Sequence, residues 1–146
     1  AEGLAPKNII DVGCGTAVLA IAAAKELPDP VIASDIDEVA VEVAAANASA
    51  NGVAERVRCL EAVGFEHAEI GAAAPFDLIF ANILKGPLID LAPAMAAHAQ
   101  TGGQVILSGI LNPQADEVIA AYGAQGFGLK ARNEIGEWTT LVLTAG

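Results

Sequence analysis

Cysteine, cationic side chains and long apolar runs are all scarce in this chain, and each shortage removes a class of function. Two cysteines, Cys14 and Cys59, are too few for a disulfide framework or a thiolate cluster, and a reducing compartment accommodates both as thiols. No set of His, Cys, Asp and Glu stands at metal-ligand spacing, so no metal is expected. Seven Lys and Arg face 18 Asp and Glu, a net charge of −11. Such a surface repels phosphate backbones, which argues against direct nucleic-acid binding, and attracts a basic partner. The chain has no charged-then-apolar targeting segment at its start. Its apolar run over 17–24 is far too short to cross a bilayer, so no membrane role is expected and the protein reads as soluble and cytoplasmic.

What remains is an apolar chain of 146 residues, 54% hydrophobic, enough for one compact domain over 1–146 and no second one. Short apolar strands alternate with longer Ala-rich helical stretches, the pattern of an α/β, doubly wound parallel sheet covered on both faces. The pattern predicts strands over 8–12, 31–34, 57–60, 76–81 and 104–108, and helices over 17–26, 38–51, 87–98 and 114–125. Pro28 and Pro30, Asn51-Gly52 and Gly102-Gly103 are expected to end the first three helices. Beyond the last helix, 127–133 and 137–144 flank Ile135-Gly136 with no helix between them, which predicts an antiparallel hairpin. The first strand begins after only seven residues, so the chain reads as an excised part of a longer protein.

The densest information lies over 8–20, where an apolar strand runs into Gly13-Cys14-Gly15 and a helix follows at once. Gly13 and Gly15 let backbone approach a ligand where a Cβ would clash, and the helix start turns unpaired N–H groups toward it. A plain tight βα turn has the same look, so the surroundings must decide. A dinucleotide fingerprint needs its third glycine at Val18, where a branched side chain obstructs helix–strand packing, and this argues against NAD. The Gly-x-Gly-x-Gly form used with S-adenosylmethionine places that glycine at Ala17, one methyl group away. Asp35 ends the second strand about twenty residues after the turn, where a carboxylate accepts from both ribose hydroxyls. Its other reading, a helix N-cap, suits Asp37 better. Asp11 is a carboxylate within an apolar strand, placed either near the positive end of a cofactor or to hold the glycine loop.

Asp11-Val-Gly-Cys-Gly-Thr-Ala, Ser34-Asp-Ile-Asp and Phe76-Asp-Leu-Ile-Phe-Ala-Asn resemble class I S-adenosylmethionine-dependent methyltransferases. With Leu19-Ala-Ile-Ala-Ala, Ala40-Val-Glu-Val-Ala, Ala81-Asn-Ile-Leu, Leu107-Ser-Gly-Ile-Leu and Gly136-Glu-Trp, the chain is similar over essentially its whole length to the PrmA family. These enzymes methylate lysine in ribosomal protein eleven of the large subunit. The resemblance implies a Rossmann-like seven-stranded sheet with its last strand reversed, in agreement with the hairpin. It implies transfer of methyl groups from S-adenosylmethionine, leaving S-adenosylhomocysteine, to protein amines of a basic ribosomal protein. It implies cofactor contacts at Asp11, Gly13, Cys14 through its backbone N–H, Gly15, Asp35, Ile36, Gly64 and Asn82. Asn82, at the carboxyl end of the fourth strand beside the glycine turn, is the candidate to orient the acceptor amine; its other reading is a cap for the next helix. Trp138 reads equally as a packing residue or a substrate contact, and Phe65 as core or an adenine neighbour. Two departures stand out: Ala17 replaces a glycine, and the family's N-terminal substrate-recognition domain is absent from this chain. A small-molecule amine or glutamine methyltransferase is the nearest alternative, against which Ile83-Leu84 stands where glutamine enzymes carry Pro-Pro-Tyr. A non-catalytic cofactor-binding module is the other.

Overall fold

The computed structural model describes residues 8–13, 18–26, 31–62 and 64–146. Seven strands form one sheet in the order β3-β2-β1-β4-β5-β7-β6. They are β1 (Ile9–Val12), β2 (Val31–Asp35), β3 (Val57–Glu61), β4 (Phe76–Asn82), β5 (Ala99–Leu111), β6 (Gly128–Ile135) and β7 (Trp138–Thr144). The helices are α1 (Val18–Glu26), α2 (Glu38–Ala50), α3 (Ala68–Ala73), α4 (Lys85–Asp90), α5 (Ala92–His98) and α6 (Ala115–Gly123). Strands β1 to β5 run parallel, and β7 lies antiparallel between β5 and β6. The sequence therefore predicts both the winding and the terminal reversal correctly.

Strands buried on both faces explain the near-continuous apolar runs. Ile9, Val31, Ala33 and Val57 pack with α1 and α2 on one face through Ala20, Ala24, Ala44 and Ala48. Ile10, Val12, Ile79 and Leu107 meet α3 to α6 on the other. Small alanines on α1 and α2 let those helices lie close to the sheet. No described helix is long and apolar enough to cross a membrane.

Three expectations need correction. The helix predicted over 87–98 is two, because Pro93 in the first turn of α5 has no N–H to donate and its ring crowds the preceding turn. Gly102 and Gly103 do not end that helix, which stops at His98; they lie inside β5, which starts at Ala99. Gly103 is needed there because a Cβ would come within 2.8 Å of the Gln100 carbonyl oxygen and 3.1 Å of the Asp77 Cα, beside the register shift between β4 and β5. The short α3 escapes periodicity altogether and is started by His67, whose Nδ1 accepts from the Glu69 N–H at 3.0 Å. The expected stop at Pro28 and Pro30 lies outside the described residues.

Two side chains tie the carboxyl-terminal half together. Asn112 donates from Nδ2 to the Gly136 carbonyl at 2.9 Å and accepts from the Thr139 hydroxyl at 2.7 Å, which pins the hairpin turn to the end of β5. The buried Tyr122 hydroxyl of α6 donates to the Leu88 carbonyl at 2.8 Å, satisfying an oxygen near the end of α4. Tyr122→Phe leaves that carbonyl buried without this donor. The expected loss is about 1 to 2 kcal/mol, read as a fall of roughly 3 to 8 °C in the thermal midpoint.

Candidate functional site

The carboxyl ends of β1 and β4 are neighbours, yet the chain leaves them in opposite directions: from β1 toward β2, and from β4 toward β5. No connection crosses the gap between them, and a crevice opens there, as it does at the switch point of doubly wound sheets generally. In this protein it is a cleft of about 490 Å³, within the usual size for a small-molecule site.

Its floor is the turn after β1. Gly13 has φ +69°, and a Cβ there would run into the Ile83 side chain, so only glycine lets β1 and the exit of β4 meet. Asp35 and Ile36 form the wall at the end of β2, and Ala62 and Gly64 the wall beyond β3. The Asp35 carboxylate accepts from the Asp37 N–H at 3.0 Å, while Asp37 itself caps α2 by accepting from the Val39 N–H at 2.9 Å. The cap of α2 is thus Asp37, and Asp35 lines the cleft. Ile36 is 65% exposed, an apolar side chain held at the cleft with nothing over it among the described residues.

Asn82 closes β4, pairs with Ser108 in register and lines the cleft. It is not a helix cap, because Leu84 occupies the N-cap of α4 and no side chain bonds there. Gly109, at φ +79°, backs it: a Cβ on Gly109 would lie 2.6 Å from Asn82 Oδ1 and 3.3 Å from the Ile83 carbonyl oxygen. The amide is therefore held in place by the absence of a side chain behind it.

Asp11 is 2% exposed and lies beneath the cleft, not in its lining. Burial pushes its carboxyl up to about 7; a backbone hydrogen bond from Ala20, in the first turn of α1, works the other way, and the nearby Asp35 charge raises it further. Such displaced titrations concentrate at functional sites. Trp138 does not line the cleft. It starts β7, 52% exposed, in a lateral row with Leu111 and Ile135 on the neighbouring strands. Phe65 is core, stacked on His98 with ring centroids 4.5 Å apart, and His67 is occupied as the cap of α3. Lys85 pairs with Glu117 at 3.4 Å on the surface. Cys14, Gly15 and Ala17 lie outside the described residues.

Sequence reading missed Val12, Ile83, Pro87, Asp90 and Leu91, all of which line the cleft. The usable signal was position: the last four follow β4 closely, and the segment after a strand at the switch point borders the crevice.

A switch-point cleft with a glycine turn, an acidic residue closing the second strand and an amide closing the fourth defines the class I methyltransferase fold. Comparison with known proteins narrows the class. The profile of the ribosomal protein L11 methyltransferase (PrmA) family matches residues 3–145, and the chain belongs to that family. A ribosomal protein L11 methyltransferase of Brucella abortus is 50% identical over 139 residues, 95% of this chain and 49% of the relative. One from Mesorhizobium japonicum is 56% identical over 122 residues, 84% of this chain and 42% of the relative. The chain spans about half the length of these curated relatives. The crystal structure of a ribosomal protein L11 methylase from Lactobacillus delbrueckii subsp. bulgaricus superposes with a TM-score of 0.89 at 32% identity, covering 99% of this chain and 72% of that one.

Two measurements test the geometry. Gly109→Ala is expected to destabilise by about 1 to 2 kcal/mol more than Gly52→Ala, because both require an unfavourable φ but only the first also drives a methyl group into Asn82. Equal losses in urea titrations would remove the steric support assigned to Gly109. For Asp11, a folded value of about 7 against an ordinary 3.8 means that the native state holds the proton more tightly. Its contribution is complete below about pH 4 and is lost as pH rises toward 7, then flat. Urea midpoints from pH 5 to 8 should fall with rising pH, and Asp11→Asn should reduce that slope.

Proposed function

We propose that this chain is the catalytic domain of a cytoplasmic methyltransferase that moves methyl groups from S-adenosylmethionine to amines of a basic ribosomal protein. The observation that carries this reading is the pairing of Asp35 and Asn82 on opposite walls of one cleft floored by Gly13. The residues fit the cofactor: a turn open to close backbone approach, a carboxylate where a ribose lies across the end of β2, and apolar surface at Ile36 and Leu91 for a flat base. In this reading the buried Asp11 supports the turn over 13–15 from beneath, that turn, with the backbone N–H of Cys14, holds the methionine end, and Gly64 borders the adenine.

S-adenosylmethionine, when bound, supplies an electrophilic methyl group on a sulfonium. The protein's part is then alignment and exclusion of water. An amine with an ordinary pKa of about 10.4 attacks only after losing a proton. Asn82 accepts an N–H from it without offering the negative charge that would favour the ammonium form, so the nitrogen lone pair can be turned toward the methyl carbon. As the N–C bond forms, the C–S bond breaks and its electron pair stays on sulfur. The surplus of acidic side chains draws a basic acceptor. Trp138, exposed on the hairpin, is assigned to acceptor contact.

Calorimetry with S-adenosylhomocysteine is expected to show metal-independent binding by this chain. Asp35→Ala should weaken it at least about tenfold, because charge-assisted hydrogen bonds are each worth roughly 1.5 to 3 kcal/mol. In the full-length protein with its ribosomal acceptor, Asn82→Ala should lower the single-turnover rate by more than it lowers cofactor affinity, since an interaction made only in the aligned state is read in the rate. A rate loss matched by the affinity loss would reduce Asn82 to a cofactor ligand.

A further inference from the structure

Asp90 was not among the residues that sequence patterns single out, yet it is one of two carboxylates lining the cleft, the other being Asp35. It stands at the last position of α4, five residues beyond the helix start at Lys85, or about 7.5 Å along the axis at the usual rise. That distance carries it away from Asn82. It also carries it toward the wall beyond β3, because its neighbour Leu91 meets the loop there: a Cβ on Gly64 would lie 2.7 Å from Leu91 Cδ1. Asp90 thus belongs to the Gly64 end of the cleft.

Nothing in the local structure accounts for a carboxylate at this place. Its side chain makes no hydrogen bond or ion pair among the described residues. The end of α4 disfavours a negative charge and the start of α5 favours one, so the two short helices give no net reason for it. An ionised carboxylate is an acceptor only, and in a cleft whose lining also holds the apolar Ile36 and Leu91 it suits a planar ligand that brings an N–H donor along its rim.

We propose that Asp90 is a specificity residue that accepts from the exocyclic amine of the adenine ring, so that the cleft selects adenosyl over other nucleosyl groups. This rests on the cofactor reading above. The chemistry makes the selection sharp. Replacing the amine by a carbonyl oxygen, as in hypoxanthine, removes the donor and turns an acceptor toward an acceptor, and a site built around a hydrogen bond rejects a ligand that cannot make it.

The test is calorimetry of the chain and its Asp90 variants with two probes, S-adenosylhomocysteine and S-inosylhomocysteine. The unaltered chain should bind the adenosyl form at least about tenfold more tightly. Asp90→Ala should weaken adenosyl binding about tenfold while leaving inosyl binding within about twofold. Asp90→Asn, whose NH₂ can donate to the hypoxanthine oxygen, should narrow or invert the preference. Because Asp90 is exposed and unpaired, ligand-free thermal midpoints of the variants should match that of the parent, which separates recognition from folding. Unchanged selectivity in both variants, or equal weakening of both probes, overturns the role of Asp90 while leaving the cofactor reading intact. Failure of the unaltered chain to bind S-adenosylhomocysteine overturns both.

Discussion

The exit of β4 is gripped by three glycines, and the site depends on that grip. Gly13 after β1, Gly64 after β3 and Gly109 within β5 all take positive φ, and a side chain on any of them would strike Ile83, Leu91 or Asn82 respectively. Three strand ends from different parts of the sheet therefore press backbone against one segment, 82–91. Close packing at these three points fixes the wall, so it tolerates almost no added volume there. Asn82, Pro87, Asp90 and Leu91 take their places along the cleft from this contact.

Electrostatics adds a second constraint. The protein gathers Asp11, Asp35 and Asp90 around one cleft or directly beneath it, in a chain already strongly acidic. Burial is the main reason that Asp11 holds its proton to about pH 7, and the nearby Asp35 charge adds to it. A ligand that brings positive charge or hydrogen-bond donors relieves this strain, which is the physical sense in which the cleft is made for a cationic, donor-rich molecule.

Expectation and structure agree best where a local rule acts alone. The parallel strands, the reversed hairpin, the Asp37 cap and the glycine turn follow from alternation, capping chemistry and the absence of a Cβ, and all are in place where described. Disagreement begins where a distant neighbour intervenes. Gly102-Gly103 has the composition of a helix stop, but Gly103 serves close approach to Asp77 across the sheet and lets β5 begin early. Trp138 and Phe65 were each left between two readings because burial is not a local property; one proves exposed on the hairpin and the other buried against His98.

By itself the sequence determined the fold class, the glycine turn, the acidic residue closing β2 and the amide closing β4, because spacing from a strand end is enough to place each of them at the crevice. Tertiary structure alone decided which face of 82–91 borders the cleft, that Asp11 lies beneath it and not in it, and that Asp90 stands at the Gly64 end. Those facts depend on how far α4 runs before Pro93 interrupts it and on what Gly64 leaves room for, and both are contacts between segments remote in the chain.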